Sequence, residues 1–387
     1  MKTVRLKPKE DRRVLRGHPW IFSNELQRTT DIFAPGEVVD VQSHSGRFIG
    51  RGYINPQTLI AVRLMTKQRE EFDCNFFKKK IALARNLRTM LGFENSYRAI
   101  YSEGDGLPGL TVDKYEDTLV VQSSTAGIDN LLHVIIPALI EEYSPEAIIL
   151  RNDIVSREIE GLEKEKRVIY GDITGPVTFS ESNLYYSADL LEGQKTGFFF
   201  DQRENRLALQ RYVRGRRILD CFCYIGAWSL TAARFGAKEV VGIDASEKAI
   251  TFAINNTKLN DLSVRFKRAD VFVELHRLKQ QQERFGCIIL DPPAFVKSRM
   301  KIREALKGYK EINQSAMQLL DRGGILVTCS CSYHIDQGLF REMLIDAAYA
   351  AGRKARLLEM RTQARDHPIL LTARETEYLK CAILIID

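Results

Sequence analysis

No apolar run in this 387-residue chain approaches the roughly 20 residues that a membrane-spanning helix needs. The opening MKTVRLKPKEDRRVLRG carries neither the apolar core nor the cleavage site of a secretory leader. A cytoplasmic location without a membrane partner is therefore expected. Cysteine is present but does not form a framework: Cys74, Cys221, Cys223, Cys287, Cys329, Cys331 and Cys381 are odd in number and lack disulfide spacing, so free thiols are the default. Histidine is scarce, with six in all and none at ligand spacing from the two C-x-C pairs, so no metal site is expected. Nor are glycine and proline abundant; with hydrophobic residues at 44% and charged residues at 28%, the composition excludes disorder and collagen-like repeats.

The length exceeds what one core usually holds and implies two or three domains. Residues 1–70 contain thirteen lysines and arginines against seven acids, which places six of the seven net positive charges at the front of the chain. A small basic domain on a near-neutral body suits a polyanion such as nucleic acid. Within residues 1–75, the short segments EVVDVQS, RFIGRGYI and LIAVRLMT, separated by turn residues, predict a small β-barrel. Arg12, Arg13, Arg16 and His18, with Arg51 in the barrel, are the candidate RNA-contacting residues, whereas Trp20 and Phe22 are assigned to the core. Residues 76–190 read as a compact α+β domain opened by the helical pattern CNFFKKKIALARNLRTML, and its edge surfaces could support a homodimer. Residues 191–387 turn to alternating apolar strands and helices, the pattern of a doubly wound, mostly parallel sheet.

In such sheets ligands collect at the carboxyl ends of the strands. Asp220 ends RILDCF, Gly226 opens the following turn where a side chain would crowd a ligand, Asp244 ends VVGIDAS, and Asp270 ends the RAD strand. One glycine instead of G-x-G-x-x-G, and three carboxylates that would repel a pyrophosphate, disfavour a dinucleotide. They suit S-adenosylmethionine, with its positive charge near Asp220, its ribose near Asp244 and its adenine amine near Asp270.

CIILDPPAF then brings Asp291, Pro292 and Pro293 to another strand end, a stiff turn suited to clamping a flipped base. The next strand supplies TCSCS. A thiolate that adds to carbon 6 of a pyrimidine makes carbon 5 nucleophilic, a task that methylation of an oxygen or amine would not require. Residues two apart on a strand share a face, and Cys331, farther past the apolar run than Cys329, is the expected nucleophile. Lys297 and His334 are the candidate cations for lowering its pKa.

Together the segments RGHPWIFSNE, FIGRGYIN, EGDGLPGLTVDKY, EGQKTGFFFDQRENR, DCFCYIGAWS, DPPAF and TCSCS resemble, over essentially the full length, the RlmI-like family of S-adenosylmethionine-dependent 23S ribosomal RNA cytosine-5 methyltransferases. The resemblance implies an N-terminal PUA domain, a central α+β domain and a C-terminal Rossmann-like methyltransferase domain, with a flipped cytosine of large-subunit ribosomal RNA as substrate. It places the segment Gln194–Arg206, with Gln194, Lys195 and Thr196 foremost, at the cofactor pocket with Asp220, Tyr224, Gly226, Asp244, Ala245, Asp270, Val271 and Asp291, and gives the chemistry to Asp291 and Cys331. Ala294 and Phe295 stand where another branch has a second cysteine. Residues alone leave open a 5-methyluridine-forming enzyme, an exocyclic-amine methyltransferase and a non-catalytic RNA-binding assembly protein.

Overall fold

The computed structural model describes residues 1–27, 32–295 and 302–387. Compactness divides them into two units: Met1–Phe179 with Asp189–Phe200 and Arg365–Thr376, and Ser180–Ala188 with Asp201–Ala364 and Glu377–Asp387. Among the described residues no helix is long and apolar enough to cross a membrane.

The first unit contains two five-stranded sheets. One runs Lys2–Arg5, Glu37–Gln42, Phe48–Ile54, Val62–Thr66, Trp20–Ile21. A bridge between Leu6 and Leu26 joins the segments that follow its two edge strands and draws the sheet toward closure around Val4, Ile21, Val39, Val41 and Val62. The other runs Lys166–Tyr170, Ala147–Arg151, Thr118–Ser123, Leu110–Tyr115, Ser96–Tyr101. Against it pack the helices Cys74–Met90 and Ala126–Tyr143, burying Phe77, Ile81, Ile128 and Ile135. Asp73 caps the first of these helices by accepting from the Phe76 N–H at 2.8 Å. Tyr53 ties the two sheets together: its hydroxyl donates to the Pro108 carbonyl at 2.7 Å, and its ring lies where a Cβ on Gly127 would stand 2.0 Å away. Only glycine permits that approach.

Two short segments read from the sequence as part of the C-terminal domain belong to this first unit, and buried polar pairing holds them there. The fully buried Arg88 donates to the Asp366 carbonyl at 2.6 Å, and the Arg98 N–H donates to the Asp366 carboxylate at 2.9 Å. Thr196 donates to Asp113 at 2.5 Å, and Asp113 is itself paired with Arg98.

The second unit is built on a seven-stranded sheet. In chain order its strands are β1 (Arg217–Cys221), β2 (Glu239–Asp244), β3 (Arg265–Arg268), β4 (Phe285–Leu290), β5 (Leu320–Ser330), β6 (Ala355–Arg361) and β7 (Lys380–Ile386). Across the sheet they run β3-β2-β1-β4-β5-β7-β6. The first five are mutually parallel, and β7 is antiparallel to both β5 and β6. Both faces are covered, which is why the central strands read as unbroken apolar runs. Leu219, Ile288, Leu290 and Leu326 enter one core; Ile218, Cys287, Ile289 and Val327 enter the other. Strand order reverses between β1 and β4, so a crevice is expected at the carboxyl ends of those two strands.

Candidate active site

The acid at the end of β1 is incompletely satisfied. Asp220 has no exposed surface; one carboxylate oxygen accepts from the Ser229 hydroxyl at 2.6 Å, and Oδ1 has no hydrogen-bond partner among the described residues. Burial pushes its pKa up to about 7; the Ser229 hydrogen bond opposes that rise, and the neighbouring Asp291 and Asp244 charges add to it. The turn that follows is strained: Phe222 and Tyr224 have φ of 65° and 48°, in the left-handed region where side chains are disfavoured. Gly226 has φ 87°, and a Cβ there would meet Leu230 and Phe266, each at 2.9 Å. The glycine is thus demanded by the backbone and by protein packing.

Asp244, at the end of β2, is fully engaged. Its two oxygens accept from the backbone N–H groups of Tyr224 and Ser246 at 2.9 and 2.8 Å, so it holds the strained turn in place. The adjoining Ala245 is exposed. Asp270 follows β3 by two residues and caps the helix Val271–Gln280, accepting from the Val273 N–H at 3.1 Å, with Val271 buried beneath it.

At the end of β4, Asp291 is clamped by Trp228, to which the sequence assigned no role, and by Gln202, which lies in the Gln194–Arg206 segment expected at the cofactor pocket but was not paired with this acid. Gln202 donates to one oxygen at 3.0 Å and the Trp228 indole donates to the other at 2.9 Å. Pro292 is buried and Pro293 exposed. Phe295 joins an aromatic cluster, its ring centroid 4.6 Å from Tyr309 and 6.1 Å from Phe272. The two thiols of TCSCS part company because β5 ends at Ser330. Cys329, still on the strand opposite Cys381, is fully buried, and burial raises its pKa well above that of an ordinary thiol. Cys331 lies beyond the strand and is partly exposed. Of the two candidate cations, Lys297 is outside the described residues, and His334 sets its ring 5.3 Å from Tyr333.

Gln194, Lys195 and Thr196 belong to the first unit. Thr196 is buried with its hydroxyl committed to Asp113, Gln194 is exposed, and the Lys195 ammonium lies 4.5 Å from the Phe199 ring centroid. In the same unit, Arg12, Arg13 and Arg16 line a cavity of about 480 Å³ with Thr372. Arg12 and Arg16 are exposed, whereas Arg13 makes a salt bridge of 2.8 Å to Glu25. His18 is buried, accepts from the Trp20 N–H and faces Glu375. Arg51 points inward to Asp40 at 2.7 Å and to the Glu70 carbonyl at 2.7 Å, so its guanidinium is not presented to a phosphate. Trp20, expected as core, is half-buried with its indole donating to Glu103 at 2.8 Å.

Residues 4–67 match the family model of a PUA-like domain, and residues 168–360 match that of an S-adenosylmethionine-dependent methyltransferase. The chain is 40% identical to the ribosomal RNA large subunit methyltransferase I of Tolumonas auensis over 98% of both chains. Its fold matches that of a methyltransferase from Streptococcus mutans (TM-score 0.85, 19% identity) and of a methyltransferase solved with bound SAH (TM-score 0.87, 19% identity), each over 100% of both chains. Two features of the second unit fit the cofactor. The Asp220 Oδ1 and Thr328 Oγ1 atoms are buried and lack partners among the described residues, and the acids at three strand ends match a cationic ligand bearing hydroxyls and amines. The chain belongs to the ribosomal RNA large subunit methyltransferase I family of S-adenosylmethionine-dependent enzymes.

Proposed function

We propose that this protein methylates carbon 5 of a cytosine in large-subunit ribosomal RNA through a transient bond between Cys331 and carbon 6. One observation carries the reading. Of the six cysteines in the second unit, five are buried, and Cys331 alone is partly exposed, just past the carboxyl end of β5 and next to the strand that ends in Asp291. Methylation of an amine or an oxygen gives such a thiol no task.

S-adenosylmethionine supplies a methyl group made electrophilic by the sulfonium, which departs as a neutral thioether. Asp220 would hold its positive charge, and Asp244 and Asp270 its hydroxyls and adenine amine; Asp244 accepts one hydrogen bond at each oxygen, and each oxygen keeps a second lone pair for a ligand. The Cys331 thiolate adds to carbon 6, and the electron pair of the 5,6 double bond moves to carbon 5, which takes the methyl group. A base then removes the carbon-5 proton, and that C–H pair re-forms the double bond as the Cys331–carbon 6 bond breaks. Asp291, oriented by Gln202 and Trp228, accepts from the cytosine 4-amino group, and Pro292 and Pro293 bound the ring. Arg12 and Arg16 offer phosphate contacts from the PUA-like domain.

Nucleoside mass spectrometry of ribosomal RNA from cells expressing wild-type protein or Cys331→Ser tests this reading. The expected product is 5-methylcytidine, lost with the variant. Methyluridine, an N4-methylated cytidine or full methylation by Cys331→Ser would each overturn it.

A further inference from the structure

The mechanism needs a thiolate, and Lys380 is a cation placed to favour one. It opens β7 and pairs in register with Ser330, the last residue of β5, directly before Cys331. Its side chain is only 6% exposed, and its Nζ donates to the carbonyls of Ser332 and Tyr378, both at 2.7 Å. The charge is therefore fixed against the carbonyl of Ser332, the residue that follows Cys331. An ammonium has three N–H groups, and the two carbonyls account for two of them.

We propose that Lys380 is the positioning residue that keeps Cys331 ionised: its ammonium is held beside the sulfur by two backbone carbonyls so that a thiolate is present before RNA arrives. This inference rests on the reading of Cys331 as the nucleophile and deepens it. A buried ammonium bonded only to neutral carbonyls is costly, and a neighbouring anion recovers that cost. Burial lowers the Lys380 pKa to about 8, and Cys331 is the foremost of the groups that act in the opposite direction, followed by Asp336 and Glu377. From the helix Ile302–Leu319 the Tyr309 hydroxyl reaches the residue after Cys331, sharing a hydrogen bond of 3.1 Å with Ser332 Oγ; its pKa is raised, chiefly by burial, with the Cys331 charge adding to the rise. At pH 7, below its own pKa, Lys380 is still charged and favours loss of the Cys331 proton to solvent; above pH 8 the ammonium is lost and with it the advantage.

The test is the pH profile of iodoacetamide alkylation at Cys331, followed by peptide mass spectrometry on the full-length protein. In wild type the midpoint is expected below the roughly 8.5 of an ordinary thiol. Lys380→Met should move it up by about one unit and slow alkylation at pH 7 about tenfold, while Lys380→Arg, which keeps the charge, should largely restore it. A purely structural tether would alter activity without moving the midpoint. A wild-type midpoint at or above the ordinary value, or a Lys380→Met profile superimposed on wild type, overturns the inference; the first needs no variant to fold. Trapping with 5-fluorocytosine RNA separates the two layers. If Cys331→Ser still forms the covalent complex, the nucleophile reading itself fails; if trapping is lost while Lys380→Met leaves the alkylation profile in place, only the role of Lys380 fails.

Discussion

Asp220 and Asp244 end neighbouring parallel strands and are the same residue type, but the protein treats them in opposite ways. Asp244 is half-buried and gives both oxygens to backbone N–H groups, fastening the turn that contains the left-handed Tyr224. Asp220 is completely buried, takes one hydrogen bond from Ser229 and leaves Oδ1 without a partner among the described residues. One acid completes the fold; the other is a destabilising element that a cationic ligand would relieve. Sites with incomplete pairing of this kind are where structure yields to binding.

Replacing the unsatisfied acid should therefore have the largest effect on binding and the opposite effect on stability. For Asp220→Asn, loss of a buried charge partner is expected to weaken S-adenosylmethionine binding about 100-fold by isothermal titration calorimetry, within the range of about 2–5 kcal/mol for such truncations. The free protein should become harder to unfold at alkaline pH. The folded-state pKa of Asp220, about 7, lies above the ordinary 3.8, so the native state holds this proton more tightly. The resulting penalty is absent below the unfolded value, grows as pH rises between the two, and is fully present above pH 7, reaching about 4 kcal/mol. The stabilisation by asparagine should thus be greater at pH 8 than at pH 5; equal stabilisation at both would break the comparison.

The turn between these acids comes next. Alanine at Gly226 would face both the positive φ of 87° and contacts of 2.9 Å with Leu230 and Phe266. A loss of about 2–3 kcal/mol in chemical denaturation is expected. If unfolding is unchanged and only cofactor affinity falls, the glycine serves the ligand after all. A smaller effect is the pH dependence of wild-type binding. Protonated Asp220 is neutral, so affinity for the cation should rise about tenfold from pH 6 to pH 8 and then level off, and the same titration of Asp220→Asn should be flat.

Apolar runs closed by an acid were sufficient to locate the carboxyl ends of β1, β2 and β4, because in a sheet covered on both faces the first polar residue after such a run marks the strand's end. The partners of those acids were not legible. Trp228 and Gln202 reach Asp291 from 63 and 89 residues away, and no local pattern encodes that approach. Arg51 sits in an alternating strand and reads as outward-facing, but a register shift between Arg51 and Gly52 accompanies its turn toward Asp40. Lys380 was hidden for a related reason. Antiparallel β7 returns between β5 and β6, outside the alternation of strand and helix, and its pairing with Ser330 is a tertiary event.

The satisfied acid should be the more forgiving of the two. Asparagine at position 244 keeps one acceptor oxygen but turns an amide N–H₂ toward the other backbone donor, so either Tyr224 or Ser246 loses its bond. An unmade bond at a half-buried site costs about 1 kcal/mol, and Tyr224, held at φ 48°, is the residue with strain to release. Hydrogen–deuterium exchange should therefore quicken at the Tyr224 amide in Asp244→Asn, with a fall in S-adenosylmethionine affinity of less than tenfold, because the turn held by Asp244 is loosened while Asp220 is untouched. Should Asp244→Asn weaken binding more than Asp220→Asn does, the two roles are reversed, and the affinity of this crevice comes from the ordered turn and not from the buried, unpartnered oxygen.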